Sequence, residues 1–299
     1  MELKKEWQWE LINEHESLTE GPLWIGKGLI YNECYKNTTY FWDPKTLNTS
    51  IWRENTGGAN GMAFDRSGEI YVCEGENHRL VNIDIKNPNS MPKLITTNQT
   101  IDKLNMPNDL AINSNGQIYF SDPNYSDKPN SRENESIYLI ENTFGGFYQV
   151  SQVTFDTKKP NGVLLSVDQK SLFVAESPLD INFSRQLRSY PIKSNGTLDD
   201  YKILHDFGPH RGIDGMTLTS EGNILATAGS NNSGPGSMIY EFNESGRIIT
   251  THLCPSNEPT NCSFGGVNND ILFITFATGK VYQVKNSNHI GQISYPSTN

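Results

Sequence analysis

Asn108-Asp109-Leu110-Ala111-Ile112-Asn113-Ser114-Asn115-Gly116-Gln117-Ile118-Tyr119-Phe120-Ser121 reads as two short apolar strands joined by an Asn-x-x-Gly turn. The same unit recurs along the chain. An oxygen-bearing residue, usually followed by Gly, leads an apolar strand at Glu20-Gly21-Pro22-Leu23-Trp24, Asn60-Gly61-Met62-Ala63-Phe64, Asn161-Gly162-Val163-Leu164-Leu165 and Asp214-Gly215-Met216-Thr217-Leu218. A weaker copy is Asn261-Cys262-Ser263-Phe264-Gly265. Successive copies lie roughly 40, 48, 53, 53 and 47 residues apart, the period of propeller blades. Second strands follow each copy, as in Gly68–Cys73, Ser171–Ala175, Gly222–Thr227 and Asp270–Thr275, and outer strands come next, as in Arg79–Asp84, Ser136–Ile140 and Ser237–Phe242. No long segment has a helical period. The expected fold is an all-β, six-bladed β-propeller. Equivalent positions of its blades meet at the axis, so six oxygen donors or amides converge there. Carboxylates and amides without a thiolate suit a hard cation such as calcium, and a central metal site is expected.

The chain has 299 residues, and the repeat runs through nearly all of it with no linker, so residues 1–299 are read as one propeller domain. It carries 34 acidic and 24 basic residues, a net charge of −10, with no basic cluster. That balance disfavours a nucleic-acid partner. No apolar run approaches the ~18 residues of a membrane span, and Met1-Glu2-Leu3-Lys4-Lys5-Glu6 lacks a signal core, so a cytoplasmic location is expected. Cys34, Cys73, Cys254 and Cys262 have no C-x-x-C spacing and are read as buried free thiols. The Asn-x-Ser/Thr triplets at Asn37, Asn98 and Asn134 follow from the abundance of Asn. Ring closure is expected from Trp7–Ile12 together with the tail His289–Ser294, both joining the strand Gly279–Val284 and removing exposed edges.

The register singles out Glu20, Asn108, Asn161 and Asp214, with Asn60 and Asn261 as further channel-lining positions. Asp109 is read as a brace beside the substrate site, and Tyr125 and Asp122 as its wall. His78, His205 and His210 are weighed as general bases and read as surface groups. Trp24, Phe64 and Phe120 are read as core between blades. The chain has no Gly-x-Ser-x-Gly elbow, Walker loop, His-Glu-x-x-His or Rossmann glycine trio.

Taken together, Glu20–Trp24, Met106–Leu110, Pro160–Val163, Ile213–Met216 and Pro259–Gly266 resemble the SMP-30/gluconolactonase/luciferin-regenerating-enzyme family of six-bladed propellers. Cys73-Glu74-Gly75-Glu76-Asn77-His78-Arg79 is similar to a segment of bacterial gluconolactonases. The resemblance places divalent-metal ligands on Glu20, Asn161 and Asp214, with Asn108 as a further ligand or substrate contact. With Asp109 and Tyr125 placed beside it by their positions in the chain, Asn108, Asp109 and Tyr125 are read as the substrate-binding residues. The implied ion is Ca2+, with Mg2+ or Mn2+ as substitutes, and the implied activity is opening of a lactone such as gluconolactone, with Asp214 as general base. Animal members carry Arg where this chain has Met106, so that branch's substrate contacts do not transfer. Phosphotriester or other ester hydrolysis, and a non-catalytic binding propeller, are the alternatives the same fold admits.

Overall fold

Every copy of the motif leads or forms the innermost strand of a four-stranded antiparallel sheet, and among the described residues there are six such sheets. The computed structural model describes residues 6–96, 104–130, 134–143 and 146–293. The inner strands of blades 1 to 6 are Thr19–Trp24, Ala59–Phe64, Leu110–Ile112, Pro160–Leu165, Ile213–Leu218 and Pro259–Gly265. Within blades 1 to 5 the strands follow chain order outward. The fold is the six-bladed propeller expected from the repeat.

The Asx-x-x-Gly turns work by side-chain mimicry of backbone. Asp65 Oδ1 accepts from the amides of Ser67 and Glu69, and Asn113 Oδ1 accepts from those of Asn115 and Gln117. Gly68 and Gly116 then take φ of 88° and 79°, which disfavours residues bearing a Cβ.

Six apolar clusters lie between neighbouring blades, one for each junction among the described residues. Leu29, Tyr31 and Trp42 of blade 1, for example, pack on Phe273 and Val281 of blade 6. Trp24, Phe64 and Phe120 fall in these layers as expected. The core is therefore a ring of inter-blade layers around a tunnel, which leaves the axis free for polar groups.

Closure is half as expected. Trp9–Glu14 pairs antiparallel with Lys280–Val284, Trp9 opposite Val284 and Glu14 opposite Lys280, so the N-terminal strand supplies the outer edge of blade 6. Trp7 lies before that strand and stacks on His252 with ring centroids 3.6 Å apart. The described part of the tail adds no strand to the sheet of blade 6. Gly291 instead forms a bridge with Thr219, and the Ser220 amide donates to the Ile290 carbonyl at 2.7 Å. The reason is that Trp9–Glu14 already occupies the outer edge, so the tail satisfies its backbone on the inner-hairpin turns of blades 5 and 6, where the Gly291 amide donates to the Asn269 carbonyl at 2.7 Å. Ser294 lies outside the described residues.

The motif itself is a bulge. The ladder between first and second strands shifts register at Glu20/Leu23, Ala59/Met62, Pro160/Val163, Ile213/Met216 and Pro259/Cys262. A bulge re-aims a side chain out of the sheet's regular alternation, here toward the tunnel. The following glycine has its own cause. A Cβ on Gly21 would overlap the Asn60 carbonyl, and one on Gly162 would overlap the Asp214 carbonyl. Each blade's motif is thus seated against the next one around the ring. Gly162→Ala is expected to destabilise the fold by about 1–3 kcal/mol through overpacking and to displace Asp214. Thermal melting checks the first effect and a crystal structure of the variant the second; an unchanged midpoint with Asp214 unmoved would contradict this seating.

Candidate active site

Five of the six motif side chains, from Glu20, Asn60, Asn108, Asn161 and Asp214, line one cleft of about 250 Å³ at one end of the tunnel. Tyr125 reaches the same cleft from the loop after blade 3's second strand. Asn261 faces the other way but still reaches the site, its Nδ2 donating to Glu20 Oε2 at 3.0 Å. The Gly21 amide donates to the same oxygen at 2.7 Å. Asn161 Nδ2 donates to the Tyr125 hydroxyl at 2.7 Å. Asp214 Oδ2 accepts from Arg211 Nη2 at 2.7 Å, while Arg211 Nη1 is anchored on the carbonyls of Gly229 and Pro259.

Asp109 is not among the residues of this cleft. Its carboxylate turns to the opposite chamber of the tunnel and accepts from the amides of Leu110 and Val163 at 2.9 and 3.1 Å, tying blade 3 to blade 4. Burial pushes its carboxyl up to about 7 against the pull of those two amides. Asp122 also sits outside the cleft, its Oδ2 accepting from the Asn105 amide. Nor do the three histidines reach it. His205 packs among Phe207, Tyr240 and Phe242, His210 meets Ser233, and His78 bonds the Asn105 carbonyl.

The electrostatics of the cleft come from burying two acids together. Burial, then the nearby charge of Asp214, pushes Glu20 well above the usual carboxylate range. Burial also raises Asp214, while Arg211 and Asn161 pull it back. The Cys34 thiol in the cleft wall is pushed up by burial and by these carboxylates, so it stays protonated and offers no thiolate nucleophile. The Asn60 Oδ1 is buried with no hydrogen-bond partner, a stranded acceptor in the same cleft. Two crowded carboxylates and three amides, one of them Asn60 with its oxygen stranded, make a donor set suited to a hard cation. Among the described residues, no group of three His, Cys, Asp or Glu side chains comes together as a metal cluster, since half of the four expected donors are amides. The expected central metal site therefore remains a matter of donor chemistry.

Several residues of the site escape a reading by repeat. Arg211 lies three positions before Asp214 in a loop no other blade copies, and the only signal was a cation spaced to meet that carboxylate. Lys159 and Glu135 form a largely buried pair at 2.7 Å, with the ammonium 4.9 Å from the centre of the Tyr125 ring. That pair holds the Tyr125 loop over Asn161.

A family model described as the SMP-30/gluconolactonase/LRE-like region matches residues 18–278. The chain belongs to that family. It is 26% identical over 286 residues to a gluconolactonase of Zymomonas mobilis, covering 86% of this chain and 75% of that one. Among solved structures it is similar to a gluconolactonase of Xanthomonas campestris, with a TM-score of 0.78 at 20% identity over 93% of this chain and 89% of that one. It is also similar to a calcium-binding regucalcin of Agrobacterium tumefaciens, with a TM-score of 0.77 at 14% identity over 96% of each chain. Among the described residues, no helix is long and apolar enough to cross a membrane.

Proposed function

We propose that the protein is a divalent-metal-dependent lactonase that opens a lactone ring, with gluconolactone as the first substrate to try. The observation that carries this reading is the convergence of Glu20, Asn108, Asn161 and Asp214 on one cleft, with a stranded Asn60 oxygen beside them. It is supported by membership of a family with gluconolactonases among its relatives. Glu20, Asn161 and Asp214 would hold the ion, with Asn108 as a further ligand or a substrate contact. Calcium is the favoured ion, because the donors are oxygens and two carboxylates balance one dication. Magnesium and manganese are the substitutes.

A bound dication would supply Lewis-acid polarisation of the lactone carbonyl. Asp214 is the candidate base, taking a proton from the attacking water. Arg211 fixes the orientation of that carboxylate through Oδ2 and offsets part of the rise that burial imposes. Tyr125 stays a neutral phenol, because burial and the charges of Asp214 and Glu135 raise its pKa. Its oxygen accepts from Asn161, which leaves the hydroxyl proton to donate toward a bound lactone. No observation in the cleft favours phosphotriester hydrolysis or a purely binding role.

Acid release from gluconolactone is expected to be calcium-stimulated and to stop on addition of EDTA; EDTA-insensitive turnover would contradict the metal role. Calcium affinity should also weaken as pH falls. Glu20 and Asp214 hold their protons to higher pH than free carboxylates do, so on acidification the proton displaces the cation early. Calcium titrations at several pH values between about 5 and 8 check this.

A further inference from the structure

The cleft of Glu20 and Asp214 adjoins a second chamber of about 480 Å³, and the two share Tyr125, Asn161 and Asp214. The second chamber lies between the loops of blades 4 and 5. Its wall carries Pro178, Leu179, Ile181 and Pro209. Leu179 and Ile181 are 67% and 73% exposed, so large apolar side chains stand uncovered at its mouth.

Away from the shared Tyr125, Asn161 and Asp214, the polar side chains of that chamber are already engaged. Arg185 donates to the carbonyls of Leu179, Phe183 and Pro209, and Ser177 to that of Ile213. Ser230 donates to Glu258, Ser233 meets His210, and Arg211 is held by Asp214 and two carbonyls. A polyhydroxylated ligand entering there would lose water and find few free partners, an unfavourable exchange. An apolar group would lose only ordered water and would cover Leu179 and Ile181.

We propose that the second chamber binds a neutral apolar substituent on the lactone, so that the preferred substrates are alkyl- or aryl-substituted lactones. This rests on the lactonase reading, with the ring at Asp214 and the substituent directed between Leu179 and Ile181. The two chambers together fall in the size range of sites that enclose ligands larger than a single small ring. Other occupants of an exposed apolar wall would not require continuity with the catalytic cleft. This wall has it.

The test is kcat/KM in calcium buffer for δ-valerolactone, for δ-lactones with progressively longer alkyl chains at the ring carbon bearing the ester oxygen, and for gluconolactone. The expected result is a rise of about two- to fourfold per methylene over the first several carbons, with the longer-chain lactones surpassing gluconolactone. Ile181→Asp, a change at an exposed position, should lower the ratio of long-chain to unsubstituted kcat/KM by about tenfold. Its thermal midpoint should match that of the parent. A flat or falling dependence on chain length, or an unchanged ratio in Ile181→Asp, overturns the inference and leaves the lactonase intact. Absence of turnover on every lactone, gluconolactone included, overturns both.

Discussion

Asp214→Asn is expected to lower lactone kcat by about a hundred- to ten-thousandfold, the range a positioned general base contributes. The substitution keeps the side-chain shape, the hydrogen-bonding reach of an oxygen toward Arg211 and a neutral metal donor. It removes the charge and the proton acceptor. The propeller should remain folded, because the backbone of the bulge is set by glycine packing against blade 6 and by the Thr227 hydroxyl, which accepts from the Gly215 amide at 2.9 Å. Calcium should still bind, more weakly. Stopped-flow acid release on parent and variant, each saturated with calcium, separates the two effects. Near-native kcat at saturating calcium would remove Asp214 from the base role and leave the water's proton to another acceptor.

Deleting residues 6–14 is expected to be the most damaging change to the fold. The deletion takes the outer strand from blade 6 and leaves the edge of Lys280–Val284 unpaired. It also removes Trp7, which is buried between Cys254, Leu272 and their neighbours and stacks on His252. An aromatic side chain lost from such a layer costs about 3–5 kcal/mol, a large share of the stability of an ordinary domain. The lost ladder adds to that. Truncated protein should therefore be aggregated or devoid of a cooperative melt by calorimetry, whereas a melt within a few degrees of the parent would show that the ring closes without this strand.

Much of this fold was legible because a propeller repeats one local problem six times. In five blades the inner strand bulges at its tunnel end, and in four of those an oxygen-bearing residue followed by glycine returns where the next blade's motif packs close. The copies at Asn108-Asp109 and Asn261-Cys262 lack the glycine. At the former, the second residue bonds the neighbouring blade instead. That is why Asp109, adjacent to a cleft residue in sequence, faces the opposite chamber in space. What does not repeat was not legible. Arg211 and the Lys159–Glu135 pair occur once each and act through loops whose course only the folded blades define. The tail's path is fixed mostly by backbone bonds to Leu218, Ser220 and Asn269, with one side chain, Asn269, added, and a single Asn leaves no repeating pattern to read. The second chamber likewise belongs to two loops with no counterpart elsewhere in the ring.

The central claim is that Glu20, Asn161 and Asp214 grip one cation, and calcium titration calorimetry on metal-stripped protein tests it most directly. The account predicts one calcium per chain. Glu20→Gln, which keeps the oxygen acceptor but removes a charge, should weaken binding by at least the about 10- to 100-fold that even outer partners of a metal ligand contribute. No calcium binding by the parent, or binding that Glu20→Gln leaves unchanged, would contradict it.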